Sequence, residues 1–120
     1  MAQILVIDDD YSIRSAVRKV LEKEGHDVIE ALNGEEGARM YTRFPVDLVI
    51  TDILMPEKDG VEVLLDLRAD HPNIKAIVIS GEGQEFLPAA EEFGALRTLS
   101  KPFRPSKLIQ IVREVLEQEN

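Results

Sequence analysis

Acidic residues stand at the ends of two apolar runs: Asp8 and Asp9 follow Ile4-Leu5-Val6-Ile7, and Asp52 follows Leu48-Val49-Ile50-Thr51. Two more polar groups obey the same placement. Ser80 closes Ala76-Ile77-Val78-Ile79, and Lys101, followed by Pro102, comes just after Leu96 to Leu99. If these runs are parallel strands of one sheet, all five groups emerge at its carboxyl edge, where open α/β sheets bind their ligands. Three carboxylates beside a hydroxyl and one ammonium suit a divalent cation and a phosphoryl group. An aspartate can attack a phosphoryl donor and hold the group as an aspartyl phosphate. Asp52 is the leading nucleophile, because its run is the most apolar and therefore the most central in the sheet.

Side chains of successive strand residues point to opposite faces. At a strand end, however, Asp8 and Asp9 can both approach one ion, one directly and the other directly or through water. Mg²⁺ fits such a site, since it takes oxygen ligands, keeps several waters and is held by one or two carboxylates plus phosphate oxygens. Phosphoryl transfer depends mainly on positioning and charge neutralisation. Lys101 would supply one positive contact, and Ser80 a hydrogen bond to a phosphoryl oxygen after transfer. Taken singly, each group has a plainer use: an acid after a strand caps the next helix, as Asp10 is placed to do, and a strand-end Lys is a solvated charge. The coincidence of all five on one edge carries the reading.

Short β-branched runs alternate with stretches of helical period, the mark of strand–helix units around a parallel sheet. The first strand is expected over about Gln3 to Ile7 and a helix over about Tyr11 to Glu24, with Ile13, Ala16, Val17, Val20 and Leu21 on one face. Gly25 can end that helix in a left-handed conformation. A second strand spans His26 to Ala31. Asn33 then serves as N-cap, Glu35 and Glu36 favour the helix dipole, and Pro45 stops this helix near Phe44. Asp47 to Thr51 is the third strand. Gly60 opens a helix with Val61, Leu64 and Leu65 facing inward, and His71-Pro72-Asn73 breaks it. After the fourth strand, Ala76 to Ser80, a short fourth helix is expected near Pro88 to Phe93. Pro105 starts the final helix, whose stripe is Leu108, Ile109, Val112, Val115 and Leu116.

The 120 residues suit one domain with a real core. The excess of acids, 23 against 14 Lys and Arg, gives a net charge of −9, which disfavours direct binding to nucleic acid or an anionic membrane. With no cysteine, disulfides and thiolate chemistry are both excluded. No apolar run approaches a bilayer span, and the chain enters its first strand without a charged leader. A cytoplasmic protein is the expectation.

Ile4 to Asp10, Asp52-Ile53-Leu54-Met55-Pro56 through Asp59-Gly60, Ser80-Gly81 and Lys101-Pro102-Phe103 closely resemble the motifs of response-regulator receiver domains. The resemblance covers essentially the whole chain. It implies an α/β, flavodoxin-like, doubly wound sheet of five parallel strands in the order 2-1-3-4-5, with five helices. It further implies that Asp52 is the phosphoacceptor, that Asp8 and Asp9 hold Mg²⁺, and that the backbone carbonyl of Leu54 completes the metal site. Ser80 is then the switch hydroxyl, Lys101 pairs with the phosphate, and the Lys101–Pro102 bond is cis, an isomer cheaply reached only before proline. The implied partners are a sensor histidine kinase or a histidine phosphotransfer protein, and a downstream protein bound through the fourth helix, fifth strand and fifth helix. Arg97, Arg104 and Lys107 would lie on or near that surface. The domain would catalyse only its own phosphorylation and dephosphorylation.

One position departs from the family pattern. Three residues before the Lys, receivers usually carry a Tyr or Phe whose ring turns inward on phosphorylation; here Thr98 stands there. The stretch from Ser80 to Gly94-Ala95 is also about one residue short and is rich in Gly and Glu. Two expectations stand side by side: that phosphorylation reorders the segment after Ser80 and the fourth helix without an aromatic rotation, with Phe86 or Phe93 taking part of the packing, or that Thr98 merely tunes an ordinary switch. Leu54 and Glu82, two residues after Asp52 and Ser80, would flank the phosphoryl group and tune its lifetime. Two other classes fit less well. A haloacid-dehalogenase type of enzyme needs a second Asp two residues after its nucleophile, where this chain has Leu54. A flavodoxin-like cofactor binder needs a phosphate-cradling loop after the first strand, where Asp8-Asp9-Asp10 would repel the ligand.

Overall fold

Every strand run foreseen from the apolar pattern is a strand, and all five pair in parallel in the order β2-β1-β3-β4-β5. The computed structural model describes residues 2–52, 60–81 and 97–118. The elements in chain order are β1 (Gln3–Ile7), α1 (Tyr11–Lys23), β2 (Asp27–Ala31), α2 (Gly34–Arg43), β3 (Leu48–Asp52), α3 (Gly60–Asp70), β4 (Ala76–Ser80), β5 (Arg97–Ser100) and α4 (Pro105–Glu117). Four helices therefore stand among the described residues. The short helix expected near Pro88 to Phe93 lies outside them, as do Phe86, Leu54 and Glu82.

Local chemistry starts and stops the helices. Asp10 caps α1, its Oδ1 accepting from Ser12 N at 2.8 Å and Ile13 N at 3.3 Å. At the other end Gly25 adopts φ 89°, Gly25 N donates to Glu22 O and His26 N to Leu21 O. These two bonds form a Schellman closure, which needs a left-handed residue at that point. Asn33 Oδ1 accepts from Glu36 N at 2.8 Å, and Glu36 Oε1 reaches back to Leu32 N at 3.1 Å, so α2 is held in register at its first turn. Pro105 opens α4, where the missing N–H costs nothing.

Alternation along the strands sends residues to two cores. One face carries Ile4, Val6, Leu48, Ile50, Ile77, Ile79 and Leu99 against α1 and α4; the other carries Leu5, Ile7, Val49, Ala76 and Val78 against α2 and α3. Three details of helix phase differ from the sequence expectation. Ala16 is exposed and Arg14 is buried beside Val17 and Leu21. Two residues turn a helix by about 200°, so Ala16 and Arg14 cannot share a face. By the same geometry Leu65 is exposed while Val63, Leu64 and Leu67 face inward. In α4, Ile111 joins the buried stripe, and Ile109 and Leu116 are only half-buried.

Candidate functional site

The register of the sheet brings the polar residues level with one another. Ile7 pairs with Thr51, so Asp8 and Asp52 leave adjacent strands side by side. Asp52 pairs with Ile79 and Ser80 with Ser100, placing Lys101 one residue beyond. The chain passes from β1 outward to β2 and then returns to β3 on the other side, so these groups stand at the point where the winding reverses. Ligands of doubly wound sheets bind in that crevice.

Asp8, Asp9 and Asp52 each offer a carboxylate oxygen, and the three atoms lie within 4.8 Å of one another. Lys101 Nζ sits 3.3 Å from Asp8 Oδ2 and 3.3 Å from Asp52 Oδ1. Asp8 is held on every polar atom. Its N–H donates to Ala31 O (3.2 Å), its carbonyl accepts from Arg14 Nη1 (2.6 Å), and its Oδ1 accepts from Asp10 N (2.9 Å). Asp9, by contrast, is exposed. Ser80 is fully buried at the end of β4, and its carbonyl accepts from Lys101 N at 2.7 Å. Thr51, also buried, donates its hydroxyl to Asp52 O at 3.0 Å.

Lys101 owes its path partly to Gly81. A Cβ at position 81 would stand 3.3 Å from both Cβ and Cδ of Lys101, so the bare glycine gives the lysine stem room to lie across it. The Lys101–Pro102 peptide is cis, as the motif implies. Thr98 is half-buried and pairs with Val78, which puts it on the same sheet face as Ser80, opposite Leu99.

The electrostatics favour a cation. Burial pushes the Asp8 carboxyl above its ordinary range, against the pull of the Asp10 N–H and of Lys101. Burial alone would pull Lys101 down, but Asp8 and Asp52 outweigh it and its net shift is upward. Among the described residues, three carboxylates face one ammonium, a surplus of two negative charges in a partly dry crevice. An all-oxygen donor set with that surplus fits a hard divalent ion such as Mg²⁺. A depression of about 500 Å³ lined by Ala2, Tyr41, Asp47 and Lys75 lies at the opposite, amino edge of the sheet and holds none of these groups.

Arg14 and Glu30 were not among the residues singled out from the sequence. Arg14 reaches Glu30 Oε1 through Nε at 3.1 Å, and Glu30 also receives Arg18 Nη1 at 2.7 Å. The Arg18 bond first, and the Arg14 bond with it, hold the Glu30 carboxyl below the usual carboxylate range against the upward push of its burial. The available signal was the spacing 14, 17, 21, which puts an arginine on the buried stripe of α1. Of the surface cations, Arg97 pairs with Glu114 Oε1 of α4 at 2.7 Å, while Arg104 and Lys107 are exposed at the start of α4.

An all-parallel 2-1-3-4-5 sheet with helices on both faces defines the flavodoxin-like class of α/β proteins. Within that class the chain belongs to the response-regulator receiver family, whose model, described as response regulator receiver domain, matches residues 4–113. It is 32% identical to sporulation initiation phosphotransferase F of Bacillus subtilis, with 95% of this chain and 93% of that one aligned. It is 33% identical to chemotaxis protein CheY of Thermotoga maritima, over 94% of this chain and 96% of that one. It is also 35% identical to part of the sensor kinase CckA of Brucella abortus; 99% of this chain aligns there but spans only 13% of that protein's length. Among solved structures, the receiver domain of NtrX from Brucella abortus superposes with a TM-score of 0.92 at 31% identity, covering 97% of this chain and 99% of that one. A receiver domain protein from Clostridium thermocellum gives 0.91 at 31% identity, over 97% and 94%. The chain is thus a receiver domain of the kind found in two-component response regulators.

Proposed function

We propose that Asp52 accepts a phosphoryl group from a histidine kinase or a histidine phosphotransfer protein, in a reaction that needs Mg²⁺, and that the aspartyl phosphate alters a partner-binding surface. The observation that carries this reading is the charge surplus at the switch point: among the described residues, three carboxylates within 4.8 Å face one ammonium, 3.3 Å from two of them. Asp8, Asp9 and Asp52 would hold the ion, with the Leu54 carbonyl contributed on the family pattern. When bound, the ion neutralises the crevice and the oxygens of the incoming phosphoryl group.

The protein's own groups then act in order. An Asp52 carboxylate oxygen attacks phosphorus, the P–N bond to the donor imidazole breaks, and the imidazole leaves and takes up a proton from water. The product is an acyl phosphate. Lys101, already beside Asp52, would shift its ammonium to a phosphoryl oxygen. Ser80 would donate its hydroxyl to another, and Thr98, on the same sheet face, would follow that movement. Hydrolysis of the acyl phosphate would return Asp52 to its carboxylate, tuned by Leu54 and Glu82. The readout surface would be the segment before β5, β5 itself and α4. The reading includes one domain over residues 1–120 that works in the cytoplasm, without direct contact to nucleic acid or membrane. No helix among the described residues is long and apolar enough to cross a membrane.

Incubation with Mg²⁺ and acetyl phosphate, followed by intact-mass measurement, tests the core of this. The wild-type chain should gain one phosphoryl group, and Asp52→Asn or removal of Mg²⁺ should abolish the gain. A gain that survives Asp52→Asn would place the acceptor elsewhere. No gain from acetyl phosphate or from phosphorylated histidine kinases would turn attention to binding that is independent of phosphorylation.

A further inference from the structure

We infer that Arg14 is a positioning residue of the cation site, acting through the backbone of Asp8 and so orienting the Asp8–Asp9 carboxylate pair. The inference rests on the metal-site reading of Asp8 and Asp9 given above.

Arg14 stands where an apolar residue would ordinarily pack, on the inner stripe of α1 with Val17 and Leu21, and is only 6% exposed. A guanidinium is removed from water at high cost, so its burial calls for specific compensation. One of its bonds leads to the site and the other anchors it to the neighbouring strand. Nη1 donates to the Asp8 carbonyl at 2.6 Å, and Nε donates to Glu30 Oε1 at 3.1 Å. Glu30 lies on β2 and is fixed in turn by Arg18. The planar fork of an arginine can hold two acceptors at a set angle, which a single ammonium cannot. The Asp8 carbonyl is thereby tied to the adjoining strand through a rigid bridge.

That tie matters because of what the carbonyl belongs to. The Asp8 C=O and the Asp9 N–H are parts of one planar peptide unit. Fixing the carbonyl fixes the plane, and with it the direction in which the exposed Asp9 leaves the strand end. The other atoms of Asp8 are already committed to Ala31 O, Asp10 N and Lys101 Nζ. Arg14 supplies the remaining constraint. The consequence is a pair of acids held near the geometry an ion requires before any ion arrives, so that less ordering is left for the binding step.

The sign of the effect separates this from two simpler roles. Arg14→Met keeps the long apolar stem but removes both the donors and the positive charge. By charge alone, losing a cation close to the site would tighten Mg²⁺ binding. If the side chain merely fills space, Mg²⁺ affinity would not change. If it positions the carboxylates, affinity falls. The measurement is Mg²⁺ titration of wild type, Arg14→Met and Arg14→Lys by calorimetry, with urea unfolding in EDTA on the same samples. We expect the Mg²⁺ dissociation constant of Arg14→Met to rise about tenfold, with Arg14→Lys intermediate because it keeps the charge and only one of the two bonds. An Arg14→Met constant equal to or tighter than wild type overturns the inference. Should that variant fail to fold, Arg14→Lys decides: at constant charge, a threefold or greater weakening supports the inference and a wild-type value overturns it. If wild type itself binds no Mg²⁺, the metal-site reading fails, and this inference falls with it.

Discussion

Replacing Asp52 by Asn should make the metal-free protein more stable, although Asp52 is the proposed phosphoacceptor. Its carboxylate oxygen lies within 4.8 Å of those of Asp8 and Asp9, and 3.3 Å from Lys101 Nζ. At an effective dielectric of about 20, each like-charge pair at that separation costs roughly 3.5 kcal/mol, and the ammonium returns roughly 5 kcal/mol. Counted over these three described partners, neutralising Asp52 removes more repulsion than attraction, by roughly 2 kcal/mol. Water screens the exposed Asp9, which brings the expected gain to about 1 kcal/mol, or a few degrees in Tm. Saturating Mg²⁺ should erase the difference. An ion at a hundredfold over its dissociation constant stabilises wild type by about 2.7 kcal/mol, while the variant has lost a charged ligand. The assay is urea unfolding followed by far-UV circular dichroism, in EDTA and then in excess Mg²⁺. If Asp52→Asn is less stable than wild type in EDTA, the lysine pairing outweighs the repulsion and the charge-surplus reasoning is wrong.

Two further outcomes follow from named contacts. Gly81→Ala puts a Cβ 3.3 Å from the Lys101 stem and should slow acetyl phosphate labelling by about two- to fivefold, equivalent to roughly 0.5–1 kcal/mol of barrier, with stability nearly unchanged; an unaltered mass time course would show that the lysine has room to spare. Glu30 has its carboxyl held below the usual range by Arg18 and then Arg14, so its contribution is present above the unfolded value of 4.5 and is lost as pH falls through the lower folded value. Glu30→Gln should accordingly cost about 0.5–1 kcal/mol near neutral pH and nothing once both forms are protonated, and a pH-independent deficit in urea unfolding would contradict the assigned ion pairs.

Much of this protein is written locally. The apolar runs with acids at their ends fix both the strands and the edge at which chemistry collects, because a strand's residues alternate faces and its terminus exposes whatever follows. Asp10, Gly25, Asn33 and Pro105 act through bonds or dihedral limits within a few residues, so their roles as caps and stops were legible from type and spacing. Strand boundaries shifted by one residue, with Asp52 closing β3 and Ser100 closing β5, since pairing with neighbouring strands and not composition decides where a ladder ends.

The tertiary structure alone decided which groups meet. Lys101 reaches Asp8 across 93 positions of sequence and Asp52 across 49, contacts set by strand order and register. It also decided that α1 turns Arg14 inward and Ala16 out. Periodicity gives the spacing of a buried stripe, but its phase comes from what the opposing surface offers. Here that surface holds a carbonyl and a carboxylate, the Asp8 C=O and Glu30, which the two donors of an arginine at that height satisfy together.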